Sequence, residues 1–161
     1  MPDRYWESYE IGEFWQSNGR TITDADILLF AGVSGDFHPA HMDAEYARRN
    51  GLLGKRIAHG ALLFSVSMGL AWQTKMNSRN LTYGIDRVRY PNPTVPGDTV
   101  HVKGTVTQKE DYLKRPKYGV VVMRYETFNQ DGKCVFVCDH KMLIERQPDP
   151  NPEKPSGEAA G

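Results

Sequence analysis

Between Gly35 and Ala47 the chain reads GDFHPAHMDAEYA, and the stretch from Asp36 to Met42 holds a carboxylate, two imidazoles and a proline. A tight turn uses the glycine and the proline, but it does not need two histidines. Asp36 and His41 can share one water, each exchanging a hydrogen bond with it, which is a general acid/base pair. The plain structural alternative is that both side chains tie the loop to its own backbone. A third reading is a metal site, because Asp36, His38, His41 and His59 are ligand types suited to zinc or iron. No cysteine lies near them, however, and their spacing is not that of a helical histidine pair.

His59-Gly60 is a second constellation. It stands where a long uncharged stretch, Ile57 to Thr74, should become helical. The free N–H groups of a helix's first turn and its dipole favour a developing negative charge. Glycine lets a ligand approach the backbone closely. An oxyanion placed there would be held by the Gly60 N–H. The structural alternative is that Gly60 is small only because a sheet packs against it.

These residues need elements to carry them. Thr23 followed by Asp26 resembles a capping pair and predicts a helix with Ile27, Leu28 and Phe30 on one side, ending in Gly32 to Gly35. Asp43 reads as the N-cap of a short helix that ends near Asn50-Gly51. The uncharged stretch is apolar nearly all round but carries small and polar residues, which fits a core helix better than a membrane span. Five runs rich in Val, Tyr, Thr and Phe predict strands: Glu10–Thr21, Leu81–Tyr90, Thr99–Lys109, Lys117–Phe128 and Lys133–Arg146. Asn129 to Gly132 is a hairpin turn, and Pro91, Pro93, Pro96 and Gly97 break the earlier pair of runs. The expected fold class is α+β: one domain, residues 1–147, with a largely antiparallel sheet of about five strands around the uncharged helix. From Pro148 the chain, PDPNPEKPSGEAAG, reads as a disordered Pro-rich tail over residues 148–161.

Lys+Arg and Asp+Glu both number 20, so the net charge is zero, which argues against nucleic acid or an anionic membrane as the main partner. Cys134 and Cys138 on one strand would lie about 13 Å apart, too far for a disulfide between them. Free thiols suit a reducing cytoplasm, and the N-terminus lacks the apolar core of a secretory signal.

Phe30 to Ala47, FAGVSGDFHPAHMDAEYA, resembles the signature of the MaoC-like, (R)-specific enoyl-CoA hydratase family: an aromatic, small residues, Gly-Asp-x-Asn-Pro, an apolar residue and His. The resemblance continues through RIAHGALLFSVSMGL, Arg56 to Leu70, and YPNPTVPGDTV, Tyr90 to Val100. It implies a hot-dog fold, a curved antiparallel sheet around a long central helix. The implied reaction is reversible addition of water to a trans-2-enoyl thioester, on coenzyme A or on acyl carrier protein. Asp36 and His41 would be the acid/base pair, and Gly60 would donate its N–H to the thioester oxygen. The resemblance implies no cofactor and no metal, and a homodimer joined at sheet edges with the active sites at the interface.

The chain departs from the pattern in two places. His38 stands where the family usually has Asn. A serine of some relatives falls on Met68, with Ser65 and Ser67 beside it. His38, His59 and Ser65 are the substrate-binding candidates. Arg87, Arg89, Lys114, Arg115 and Lys117 are candidates for holding the phosphates of coenzyme A. A hot-dog thioesterase would want an acidic residue on the central helix, and Ile57 to Thr74 has none. A non-catalytic acyl-CoA-binding module would need neither Asp36 nor His41.

Overall fold

Thr23 opens the first helix as the sequence suggests. In the computed structural model, which describes residues 3–74 and 77–148, the Thr23 hydroxyl accepts from the Asp26 N–H. The Asp26 carboxylate in turn accepts from the Thr23 N–H, closing a capping box. Helix α1 (Asp24–Ser34) stops where Gly35 takes φ +76°, a left-handed conformation that costs glycine no strain. It buries Ile27 and Ala31, whereas Leu28, expected on the same side, is exposed. A four-residue helix that the sequence did not suggest follows, α2 (Pro39–Met42), with His38 as its N-cap and Pro39 in its first turn. Asp43 caps α3 (Ala44–Asn50) by accepting from Glu45 and Tyr46 N–H groups.

The long helix α4 (Gly60–Thr74) begins at Gly60. Leu62, Leu63, Val66, Leu70 and Ala71 face the core. Buried Ser67 satisfies its hydroxyl with Leu63 O and Thr127 Oγ1. The helix is not buried all round: Ala61, Ser65, Gly69 and Trp72 form an exposed, uncharged face.

The expected strand Glu10–Thr21 is two short strands, β1 (Phe14–Gln16) and β2 (Arg20–Thr21), so the sheet has six strands rather than about five. With β3 (Asn80–Arg89), β4 (Thr99–Asp111), β5 (Tyr118–Phe128) and β6 (Cys134–Glu145) the order is β1-β4-β5-β6-β3, with β2 also on β4. Every pairing is antiparallel. In β4, Val100, Val102, Gly104 and Val106 are buried while the residues between them are partly open, the period of two that fixes register. Register shifts interrupt β3·β6, β4·β5 and β5·β6, and bulges of this kind bend a sheet. The bent antiparallel sheet with one long helix on its apolar face is the hot-dog fold. The Asn129 side chain accepts from Asp131 and Lys133 N–H groups and Gly132 takes φ +71°, closing the β5–β6 turn.

One polar line runs through the core. His140 on β6 is 5 % exposed, with Nε2 3.1 Å from Thr82 Oγ1 and Nδ1 3.3 Å from the Tyr125 hydroxyl. Burial pushes the His140 pKa down to about 4 and pushes Tyr125 up. Cys134 and Cys138 both lie on β6 and are free thiols. Burial, then the neighbouring Asp139 charge, pushes the Cys138 thiol up to about 12, so it packs as a neutral group. Among the described residues no helix is long and apolar enough to cross a membrane. Apart from Pro148, the expected tail falls on residues 149–161, outside those described.

Candidate active site

The Gly35–Asp43 segment is built around α2. His38 Nδ1 accepts from the Ala40 N–H at 3.1 Å, so an imidazole does the capping here that Asn does at many helix starts. The Asp36 Oδ1 accepts from the His38 N–H at 3.2 Å, closing an Asx turn just before the cap. The remaining carboxylate oxygen, Oδ2, faces His41 Nε2 at 3.9 Å. His41 is carried in the last turn of α2, and its Nδ1 lies 2.9 Å from the Ile57 carbonyl. A carbonyl only accepts, so Nδ1 carries a proton, and in the neutral ring Nε2 presents its lone pair towards Asp36. The gap is too long for a direct hydrogen bond.

A second strut comes from the connection between β3 and β4. Asp98, buried after Pro96-Gly97, accepts from the Val95 N–H at 2.9 Å and so shapes the loop from Tyr90 to Gly97. That loop offers the Thr94 carbonyl to the Ala58 N–H at 2.8 Å. His59 follows, 2 % exposed, with its ring 3.9 Å from that of His41 at an interplanar angle of 33°. His59 Nε2 lies 2.9 Å from the Asp36 carbonyl oxygen. Asp36, His41 and His59 thus converge, with candidate ligand atoms within 4.8 Å of one another. The rings of His41 and His59 are stacked, however, and in-plane lone pairs of stacked imidazoles do not converge on one ion as zinc ligands must.

Gly60 is the first residue of α4, so its N–H has no acceptor within the helix. A Cβ there would meet the Tyr90 ring at 3.1–3.3 Å, so this glycine is closely packed as well as opening the helix. His41, His59, Gly60, Leu63, Tyr90 and Thr94 line one side of a cleft of about 370 Å³. Two buried polar atoms among its lining residues, His59 Nδ1 and Thr94 Oγ1, have no hydrogen-bond partner among the described residues. Burial pushes the Tyr90 hydroxyl up, keeping a neutral phenol at the cleft.

The sequence candidates divide accordingly. Asp36, His38, His41, His59 and Gly60 come together. Ser65 does not: it is exposed on α4 and donates back to Ala61 O at 2.9 Å. Lys114, Arg115 and Lys117 lie in the β4–β5 connection, at the end of β4 remote from the cleft, with about 40 Å of strand between. Arg87 is turned to Asp139 in an ion pair. Sequence reasoning missed Tyr90, Thr94 and a neighbouring hollow of about 340 Å³ lined by Arg48, Lys55 and Arg56 together with Ala44, Gly54, Val95 and Pro96. The hollow joins the run from Arg48 to Arg56 to Val95 and Pro96, residues about 40 positions further along the chain.

The family model of the MaoC-like domain matches residues 9–127. The chain is 36 % identical over 106 residues to Protein MaoC of Klebsiella aerogenes, a match that covers 66 % of this chain and 31 % of that longer protein. It is 35 % identical over 106 residues to an (R)-specific enoyl-CoA hydratase of Rhodospirillum rubrum, covering 64 % of this chain and 69 % of the relative. Among solved structures, a monoamine oxidase regulatory protein from Archaeoglobus fulgius superposes with a TM-score of 0.84 at 35 % identity, over 91 % of this chain and 97 % of that one. A family model covering most of the chain and a matching fold lead to one conclusion: the chain belongs to the MaoC-like domain family.

Proposed function

We propose that the protein is an (R)-specific enoyl-CoA hydratase, a hydro-lyase that adds water reversibly to a trans-2-enoyl thioester without a cofactor. The observation that carries this reading is the 3.9 Å opening between Asp36 Oδ2 and His41 Nε2, sized for one water beside the first turn of α4. The water is held by two acceptors and adds its oxygen to C3 of the enoyl group. Its displaced proton passes to the Asp36/His41 pair, which delivers a proton to C2. Charge that develops on the thioester oxygen is met by the Gly60 N–H at the positive end of α4. The thioester itself makes C3 electrophilic, so atoms and charge balance with water and substrate alone. The Arg48–Lys55–Arg56 hollow, beside the cleft, suits the phosphates of the coenzyme. Its free thiols suit a cytoplasmic enzyme. A panel of trans-2-enoyl-CoA esters, followed by loss of the conjugated thioester's absorbance, tests the reading. Release of free thiol instead would make the protein a thioesterase.

The active form is a homodimer. β3 is an edge strand with Leu81 and Tyr83 exposed, and the uncharged face of α4 ending in Trp72 is open. Open strand edges invite pairing, and a second copy would cover both surfaces at once. Light scattering at micromolar concentration is expected to give twice the mass of one chain. A monomer mass would exclude this arrangement.

His38 shapes the site and does not transfer protons. His38→Asn keeps a good N-cap and is expected to change KM or substrate preference more than kcat. His38→Ala removes the cap and is expected to cost about 0.5–2 kcal/mol in urea unfolding. A loss of kcat of about 10²-fold in His38→Asn, with KM unchanged, would instead assign proton transfer to His38.

A further inference from the structure

We infer that His59 is a positioning residue that holds both members of the acid/base pair in register, and does not itself bind substrate. This rests on the hydratase reading of Asp36 and His41. A single buried ring makes both connections. Its Nε2 meets the Asp36 carbonyl oxygen at 2.9 Å, and a carbonyl only accepts, so Nε2–H is the donor. Its face lies on His41 at 3.9 Å. Phe30 of α1 backs it at 5.2 Å, a contact that brings α1 against the same ring. The main chain around it is also fixed, by Ala58 N–H to Thr94 O and Leu63 N–H to His59 O.

The consequence is geometric. Asp36 is in a loop and its side chain is half exposed, held within that loop by the His38 N–H on Oδ1. The His59 N–H pins the Asp36 main chain from below. His41 can rotate about its side-chain bonds, and the stacked ring leaves it one face on which to lie. The Ile57 carbonyl then selects the Nδ1–H form. Two separate tethers thus end on one side chain, and the water site is the space they leave between Asp36 and His41. A substrate-binding role would have to run through the remaining atom, Nδ1, which has no partner among the described residues.

Two substitutions separate the tethers. His59→Gln keeps an N–H donor for the Asp36 carbonyl and removes the ring. His59→Phe keeps the ring and removes the donor. Each is expected to lower kcat at least about tenfold with KM within about twofold, because a misplaced catalytic group costs rate rather than ground-state binding. Histidine nitrogen NMR of the wild-type protein is expected to show His41 as one Nδ1–H tautomer, with ring protons shifted by the neighbouring ring. That ring shift is expected to persist in His59→Phe and vanish in His59→Gln. Unchanged kcat in both variants, or a tenfold rise in KM with kcat intact, would overturn the positioning role, as would a wild-type His41 that exchanges freely between tautomers. A wild-type protein inactive on every enoyl thioester, yet with the expected His41 spectrum, would refute the hydratase reading and leave the positioning role standing.

Discussion

Asp36→Asn and His41→Ala are each expected to lower kcat for enoyl-thioester hydration by about 10²–10⁴-fold, the usual range for a general acid/base group. In the proposed mechanism the two groups, 3.9 Å apart, hold one water between them, so altering either one disturbs both the orientation of the water and the path of its proton. The groups act on the same molecule. The double variant should therefore be little slower than the slower single one, because a broken unit cannot be broken twice. Asp36→Asn is isosteric and half exposed, so its fold should be unaltered. His41→Ala also loses the bond to Ile57 O and the stack on His59, and a modest loss of stability should accompany its loss of rate. Steady-state kinetics on the best substrate of the panel, with circular dichroism as the check on folding, decides the matter. Near-wild-type turnover in either single variant would refute the assignment.

Lowering the pH from about 6.5 to about 4 is expected to remove up to about 3 kcal/mol of folding stability through His140 alone. Burial holds its native pKa near 4, while the unfolded chain protonates it near the ordinary value of 6.5. Above 6.5 both states carry a neutral imidazole, and the group contributes no pH dependence. Below 6.5 the unfolded state binds a proton that the native state refuses, so stability falls as pH falls until the native pKa is reached. Asp3 and Glu45 act in a lower window. Hydrogen bonds from Ser78 and from Arg48 respectively hold them below the usual carboxylate range, so the stability they contribute is lost only as pH falls through their own titrations. Urea unfolding at pH 7 and at pH 4.5 separates the terms. His140→Gln keeps polar contact with Thr82 and should flatten the slope between these values. An equal slope in the variant and the wild type would exclude His140 as its source.

The sequence by itself determined what is local. The Thr23–Asp26 capping box, the Asp43 cap and the Asn129–Gly132 turn each depend on hydrogen bonds between residues at most four apart, so residue type and spacing suffice. The α+β class followed from the switch of hydrophobic period after residue 80, and the family resemblance singled out Asp36, His41 and Gly60 because their motifs are compact. Other features were decided by tertiary structure. The run Glu10–Thr21 reads as one strand, but pairing with two different stretches of β4 breaks it into β1 and β2. The run Ile57–Thr74 reads as apolar all round, but the sheet covers only one side of α4. His38 reads as a substrate-binding candidate, and the structure adds a local role, its Nδ1 accepting from the Ala40 N–H as a helix cap. Tyr90 over Gly60, the basic hollow at Arg48, Lys55 and Arg56, and the His59 ring between Asp36 and His41 join segments far apart in the chain. No period or spacing encodes such contacts. They exist only once the sheet and α4 have brought the Asp36 loop, the His59 turn and the Tyr90–Gly97 loop to one end of the fold.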